Sequence, residues 1–338
     1  MEVAILSPVY KPEFYLDCLY LYFSKKIQIY SIYLLKIKYA ISVTIIAGWR
    51  SSDSGVSMSA GTKIGAFLSK PSKFLVDSTL LCAVGPSALT YATIILTKNP
   101  FNWSLVVLPF FACLLIYSIN RITDGEEDAI NLPDRIRFPH RIRIILLVVS
   151  LVFYVFFLMI VLQKNLLSFA VGLLPLVIAF LYSVFRLKRV FVLKNILIAA
   201  ALGASVLIVP AYYENWTVIC WMIFLFFFLM LFINTIIFDI KDIRGDSIFG
   251  IKTLPVRIGV PTTKYFCYML LAAAFIVLFQ LISMNRDSVL LIPYACFIAI
   301  YTYYAPEGEH FPWWYFGVLV DGEFLILLLS SLCVMILL

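Results

Sequence analysis

Charge is scarce in this chain of 338 residues: charged side chains make up 13% of it, and hydrophobic ones reach 63%. Soluble domains average about 25% and about 45–50% respectively, so the composition excludes a soluble fold and implies a multi-spanning membrane protein. Paired cysteines are missing too. The seven cysteines, Cys18, Cys82, Cys113, Cys220, Cys267, Cys296 and Cys333, form no CxxC pair and fall mostly inside apolar runs. That excludes a disulfide or zinc framework and leaves them as small core residues. Beyond the first 70 positions, no gap between apolar runs is long enough for a soluble domain.

What is present is a succession of apolar runs at 74–96, 103–119, 142–162, 166–185, 190–213, 216–238, 265–284, 289–304 and 313–338. Most match the roughly 20 residues an α-helix needs to cross a bilayer core. Barrel strands would alternate in polarity instead of running continuously apolar. The expected fold is therefore all-α: an integral membrane helical bundle of about nine transmembrane helices over residues 71–338. Its eighth helix is short, and its ninth is interrupted by "DGE".

Lys and Arg in the loops set the orientation. Arg121, Arg135, Arg137 and Arg141 follow the second run, Arg186, Lys188 and Arg189 the fourth, and Lys241, Arg244, Lys252, Arg257 and Lys264 the sixth. These connections are expected on the cytoplasmic side, with the N-terminus inside and the C-terminus outside. The net charge of +7 is then accounted for by topology and anionic lipid headgroups, and no nucleic-acid partner is needed.

Residues 1–70 fit this scheme poorly, because Lys36 and Lys38 interrupt the aromatic stretch "YLYFSKKIQIYSIYLLKIKYAISVTIIAGW" where a spanning helix would have its middle. No small-residue cleavage site lies at the distance a secretory signal requires. "RSSDSGVSMSAGTK" reads as a flexible linker. The region is expected to be an accessory interfacial extension, or an upstream extension of the reading frame with Met58 as an alternative start.

Acidic residues, only 19 in all, concentrate in two places. In "NRITDGEEDAINLPDR", Asn120, Asp124 and Asp128 recur every four residues. If the second helix continues past Ile119, they line one of its faces. Like charges at that spacing repel unless cations sit between them. The pattern returns in "NTIIFDIKDIRGDSIFGIKTLPVRIG", where Asp242 and Asp246 are four apart, Asp239 is three before Asp242, and Asn234 lies on the same face. Each acidic pair follows an even-numbered helix and precedes a basic loop, so the two ends share one side of the membrane. Hard oxygen donors without Cys or His favour Mg²⁺ over zinc, and Mg²⁺ typically binds through one or two carboxylates plus substrate phosphates. Arg135 and Lys252 would counter phosphate charge that the metal leaves uncompensated. A diphosphate that reaches into a lipid-embedded bundle would carry a long hydrocarbon tail.

"NRITDGEEDAINLPDR" fits NxxxDxxxDxxNxPxR, and "DIKDIRGDSIFGIKTLPVRIG" fits DxxDxxGD followed by GxxTLPVxxG. Together they resemble the motifs of the UbiA-type membrane prenyltransferase superfamily, over roughly residues 71–338. The resemblance implies a Mg²⁺-dependent prenyltransferase that moves a prenyl group from an isoprenoid diphosphate to a lipophilic acceptor. It implies metal ligation by Asn120, Asp124, Asp128, Asp242 and Asp246, with Asp239 as a further acid, and catalytic roles for the aspartates of the two pairs. Arg135, Lys194, Asn195, Tyr182, Asn234 and Lys252 become candidates for binding the diphosphate and the prenyl chain. Arg121, Thr123 and the "IRFPHRIR" that follows Arg135 depart from the best-known quinone and haem branches, which leaves the acceptor open.

Two other functions stay open. A membrane terpene cyclase would use the same ionisation, with the chain's own double bond attacking. A transporter of cations or phosphate-bearing lipids would also place acids at membrane depth, although these cluster at one face and no discontinuous helix pair is evident at the midplane. Asp321 and Glu323, inside the ninth run, have two readings. They form a polar wall of the acceptor pocket, or the helix breaks at Gly322 and both reach the outer interface.

The N-terminal reading has a direct test. A chain beginning at Met58 should insert, fold and turn over in detergent much as the full chain does. Normal insertion with lost activity would make residues 1–57 part of the site.

Overall fold

A computed structural model describes residues 74–123, 139–185, 187, 190–306 and 315–337. The described residues are helical, and they contain no strand. In chain order the principal helices are α1 (Leu80–Leu96), α2 (Trp103–Thr123), α3 (His140–Lys164), α4 (Leu166–Val184), α5 (Leu193–Tyr213), α6 (Val218–Ile248), α7 (Val260–Met284), α8 (Ile292–Tyr303) and α9 (Glu323–Leu337). A one-turn helix, Leu254–Ile258, precedes α7. A 3₁₀ segment, Arg286–Leu291, leads into α8, and a π-helical segment, Tyr315–Val320, leads into α9.

Seven of these helices are long and apolar enough to cross a membrane, against the nine expected. A turn at residues 78–79 leaves the first run an unbroken helix of only the 17 residues of α1, and the eighth run contributes the 12 of α8. Both are shorter than the roughly 20 residues a straight crossing requires. The chain is nonetheless a multi-pass membrane protein by these seven spans.

Burial separates the bundle into a centre and a lipid-facing rim. In the most apolar window of α6, 61% of residues are buried, against 22% in α3 and 11% in α4. Accordingly α3 and α4 expose Ile145, Val152, Phe156, Leu166 and Phe180, which are suited to lipid. Helix α6 packs against α5 and α7, and α1 packs against α2, α5 and α9.

Small residues make the closest approaches. A Cβ on Gly85 would lie 2.7 Å from the Phe324 ring, and one on Gly317 would lie 2.6 Å from Val76. Glycine at both positions lets α1 and the residues just before it meet the π–α9 segment, as small residues do at helix contacts in membranes. Gly322 marks the break between the π segment and α9. A Cβ there would come 2.2 Å from the Val318 carbonyl oxygen, so only glycine fits.

Helix prolines shape the interior. Pro86 in α1, Pro109 in α2 and Pro175 in α4 each remove a backbone hydrogen bond from the helix. The Ser87 hydroxyl donates to the Val106 carbonyl at 2.7 Å, in the turn before Pro109, and the Thr90 hydroxyl donates to the Ser205 carbonyl at 2.7 Å. Such side-chain donors make irregular backbone tolerable inside a membrane.

Helix α6 has 31 residues and so spans about 46 Å, enough to place its two ends on opposite membrane surfaces. Single cysteines at the exposed positions Glu214 and Ser247, in a cysteine-free background, should react with an impermeant thiol reagent from opposite sides, Ser247 from the cytoplasm. Labelling of both from one side would overturn this threading.

Candidate active site

Consecutive antiparallel helices bring the C-terminal ends of α2, α4 and α6 and the N-terminal end of α5 to one end of the bundle. Helix α2 runs past Ile119 to Thr123, so Asn120 is helical as its spacing requires. Asp124, Asp128 and Arg135 lie outside the described residues. Helix α6 continues ten residues beyond its apolar run and carries Asp239, Asp242 and Asp246 on unbroken helix.

The repulsion expected among these acids is relieved by a lysine. Lys194, the second residue of α5, places Nζ 2.8 Å from Asp239 Oδ1 and 3.5 Å from Asp246 Oδ2. Asn195 Nδ2 donates to Asp239 Oδ2 at 2.8 Å, so both oxygens of Asp239 are engaged. Asp239 is 1% exposed, Asp246 4% and Asn195 1%, which makes this a buried ion cluster in which one ammonium serves two carboxylates. Asp242, more open, pairs with Lys241 at 3.8 Å.

The donor set suits a hard cation. Carboxylate oxygens dominate it, and Asn195 Oδ1 is buried with no hydrogen-bond partner among the described residues. Among those same residues, no three acidic, His or Cys side chains come together as a metal site. A metal held here would need further ligands from elsewhere.

A cavity of about 860 Å³, its mouth included, opens between α2, α4 and α5. Asn120 and Tyr182 line its polar end. Leu108, Val171, Gly172 and Ile208 line its far end, with Pro86, Pro109 and Pro175 along the walls. From Asn120 to Leu108 the cavity follows twelve residues of α2, about 18 Å of helix. A Cβ on Gly172 would lie 3.0 Å from Leu158 and 3.2 Å from Leu108, so the floor is tightly packed.

The remaining candidates separate. Lys252 is exposed in the loop after α6 and forms no ion pair with a described acid. Asn234 lies about 18 Å down α6 from Asp246, within a different cluster.

That second cluster surrounds Glu323, which is fully buried. Tyr301 donates to Glu323 Oε2 at 2.5 Å and Tyr294 to Oε1 at 3.3 Å, both from α8. Asn234 sits beside Glu323 and Tyr301, and the Tyr315 hydroxyl donates to the Tyr301 carbonyl. The expected break at Gly322 is present, but neither acid reaches the outer interface. Asp321 is 7% exposed and lies within electrostatic reach of Cys113 and Tyr117, which line the cavity. The sequence contained a signal for the missed tyrosines: Tyr294 and Tyr301 are seven apart and so share one face of α8.

The UbiA prenyltransferase family model matches residues 83–334. The chain belongs to this family. A digeranylgeranylglyceryl phosphate synthase from Sulfurisphaera tokodaii is 26% identical over 181 residues, which cover 50% of this chain and 65% of that protein. The synthase of the same name from Methanopyrus kandleri is 32% identical over 95 residues, 28% of this chain and 34% of that one. The aligned stretches thus span less than two thirds of either relative. The structure of a UbiA homologue from Archaeoglobus fulgidus bound to DMAPP and Mg²⁺ superposes with a TM-score of 0.58 at 18% identity, covering 77% of this chain and 97% of that one. At that identity the likeness establishes the UbiA fold.

Glu323→Ala would leave two tyrosine hydroxyls without their acceptor inside the bundle, a loss of about 3 kcal/mol. Glu323→Gln keeps an acceptor oxygen and should lose less. Thermal unfolding in detergent should rank the parent above Gln and Gln above Ala, and equal midpoints would refute the role given to this cluster.

Proposed function

We propose that the protein is an intramembrane prenyltransferase that transfers a prenyl group from an isoprenoid diphosphate to a lipophilic acceptor, with Mg²⁺ as cofactor. The observation that carries this reading is the buried cluster of acids, lysine and asparagine at the same end of the bundle as the polar mouth of a deep apolar cavity. A molecule with a diphosphate head and a hydrocarbon tail matches both parts. Family membership supports the reaction class, and the ligands named for the Archaeoglobus fulgidus homologue support the donor and the metal.

Mg²⁺, held by Asp242 and Asp246 together with Asn120, Asp124 and Asp128, would neutralise charge on the departing diphosphate. Asp239, with both oxygens engaged, holds Lys194 and Asn195 in place. Lys194 and Arg135 supply positive charge to the leaving group where the allylic C–O bond breaks, and Tyr182 and Asn120 orient the head at the cavity mouth. The apolar walls hold the prenyl chain and keep water from the electron-deficient allylic carbon. The acceptor enters from the bilayer. The names of the two relatives make a glyceryl phosphate lipid the first acceptor to test. The basic loops support a cytoplasmic position for the site.

Asp128→Asn and Asp246→Asn each keep size and hydrogen bonding but remove one negative ligand. A contact of this kind is worth roughly 3 kcal/mol in the transition state, so turnover should fall about a hundredfold. The assay is purified protein with prenyl diphosphates of several lengths and a membrane-lipid extract, with products identified by mass. Parental turnover in both variants would sink the assignment. A product lacking only the diphosphate, formed without an acceptor, would convert the reading to cyclisation.

A further inference from the structure

We infer that Lys194 is a resident counter-ion that occupies the second acidic motif until a diphosphate draws it away, so that the site takes up Mg²⁺ together with diphosphate and not before it. The inference rests on the diphosphate reading above and deepens it.

Three observations carry it. The lysine stands where a cation is least favoured: side-chain exposure is 14%, and the N-terminal end of α5 is electropositive. Only the acids of α6 make that position tolerable, so the ammonium is held by them and in turn neutralises them. The two contacts are also unequal. Asp239 holds Nζ at 2.8 Å and is itself fixed by Asn195, whereas Asp246 holds it at 3.5 Å. The weaker partner is the one that can be released. Finally, Asn195 Oδ1 is buried beside this pair with no hydrogen-bond partner among the described residues, an oxygen ready to accept from a donor or cation that arrives.

The consequence is an order of binding. A divalent ion alone would meet the ammonium at Asp246, and the repulsion between them opposes its entry. A diphosphate supplies the oxygens to which Lys194 can turn from Asp246 without leaving Asp239. The freed Asp246 carboxylate is then available as a metal ligand. Lys194 therefore acts first as the internal substitute for the metal and then as a clamp on the leaving group.

Thermal unfolding in detergent reads this without turnover, using Mg²⁺ alone, an unreactive geranyl thiolodiphosphate alone, and the two together. The wild-type midpoint should stay flat with Mg²⁺ alone and rise with the pair. Lys194→Met, which removes the charge and keeps the stem, should respond to Mg²⁺ alone, at a concentration at least tenfold below any wild-type response. Lys194→Arg should behave as the parent. If the parent responds to Mg²⁺ alone as strongly as to the pair, the counter-ion role is overturned, whether or not Lys194→Met folds. If Lys194→Met folds and responds to Mg²⁺ no better than the parent, it is likewise overturned. No response of the parent to the pair would instead overturn the diphosphate reading beneath it.

Discussion

An ammonium group shared by two buried carboxylates ties α5 to α6, and the organisation of that end of the bundle depends on it. Asp239 and Asp246 lie on one face of a helix that is mostly buried, where neither carboxylate can be hydrated. Lys194 reaches them from the start of the neighbouring helix and cancels part of their charge, while Asn195 completes the hydrogen bonding of Asp239. A buried ion pair adds little net stability, because desolvation of the charges offsets their attraction. What it does well is specify. The α5–α6 register that pairs these groups is the one that avoids unpaired charge in the membrane.

The apolar cavity has a different origin. Prolines from three of the helices around it line its walls, each lacking the backbone N–H of a regular turn. Serine and threonine hydroxyls of α1 donate to backbone carbonyls of α2 and α5. Polar groups at one end and a packed apolar floor at the other give the hollow the polarity of an amphipathic ligand. The two features coincide because α2, α4 and α6 all end on the side where α5 begins.

The Glu323 cluster performs a similar service at the other side of α6. Two tyrosines of α8 and Asn234 of α6 converge on one carboxylate of α9, and Tyr315 ties the π segment to α8 as well. A helix interrupted at Gly322 would otherwise leave α9 poorly anchored. These contacts hold its two parts against α8.

Much of this was legible in the sequence, because hydrophobicity and charge act locally along a membrane chain. Run length marked most of the helices, and the two acidic motifs marked the family. The exceptions have physical reasons. α1 and α8 are shorter than their apolar runs suggested, since a turn and a 3₁₀ segment are as apolar as a helix. Repulsion among the α6 acids was readable from spacing, but the cation that relieves it was not: Lys194 lies 45 residues before Asp239, and only the packing of α5 on α6 makes them neighbours. For the same reason the sequence could mark Asp321 and Glu323 as anomalous without saying whether they face water or the bundle. Which side chains meet is decided by helix packing, because hydropathy records how apolar a helix is and not which neighbours its polar groups will find.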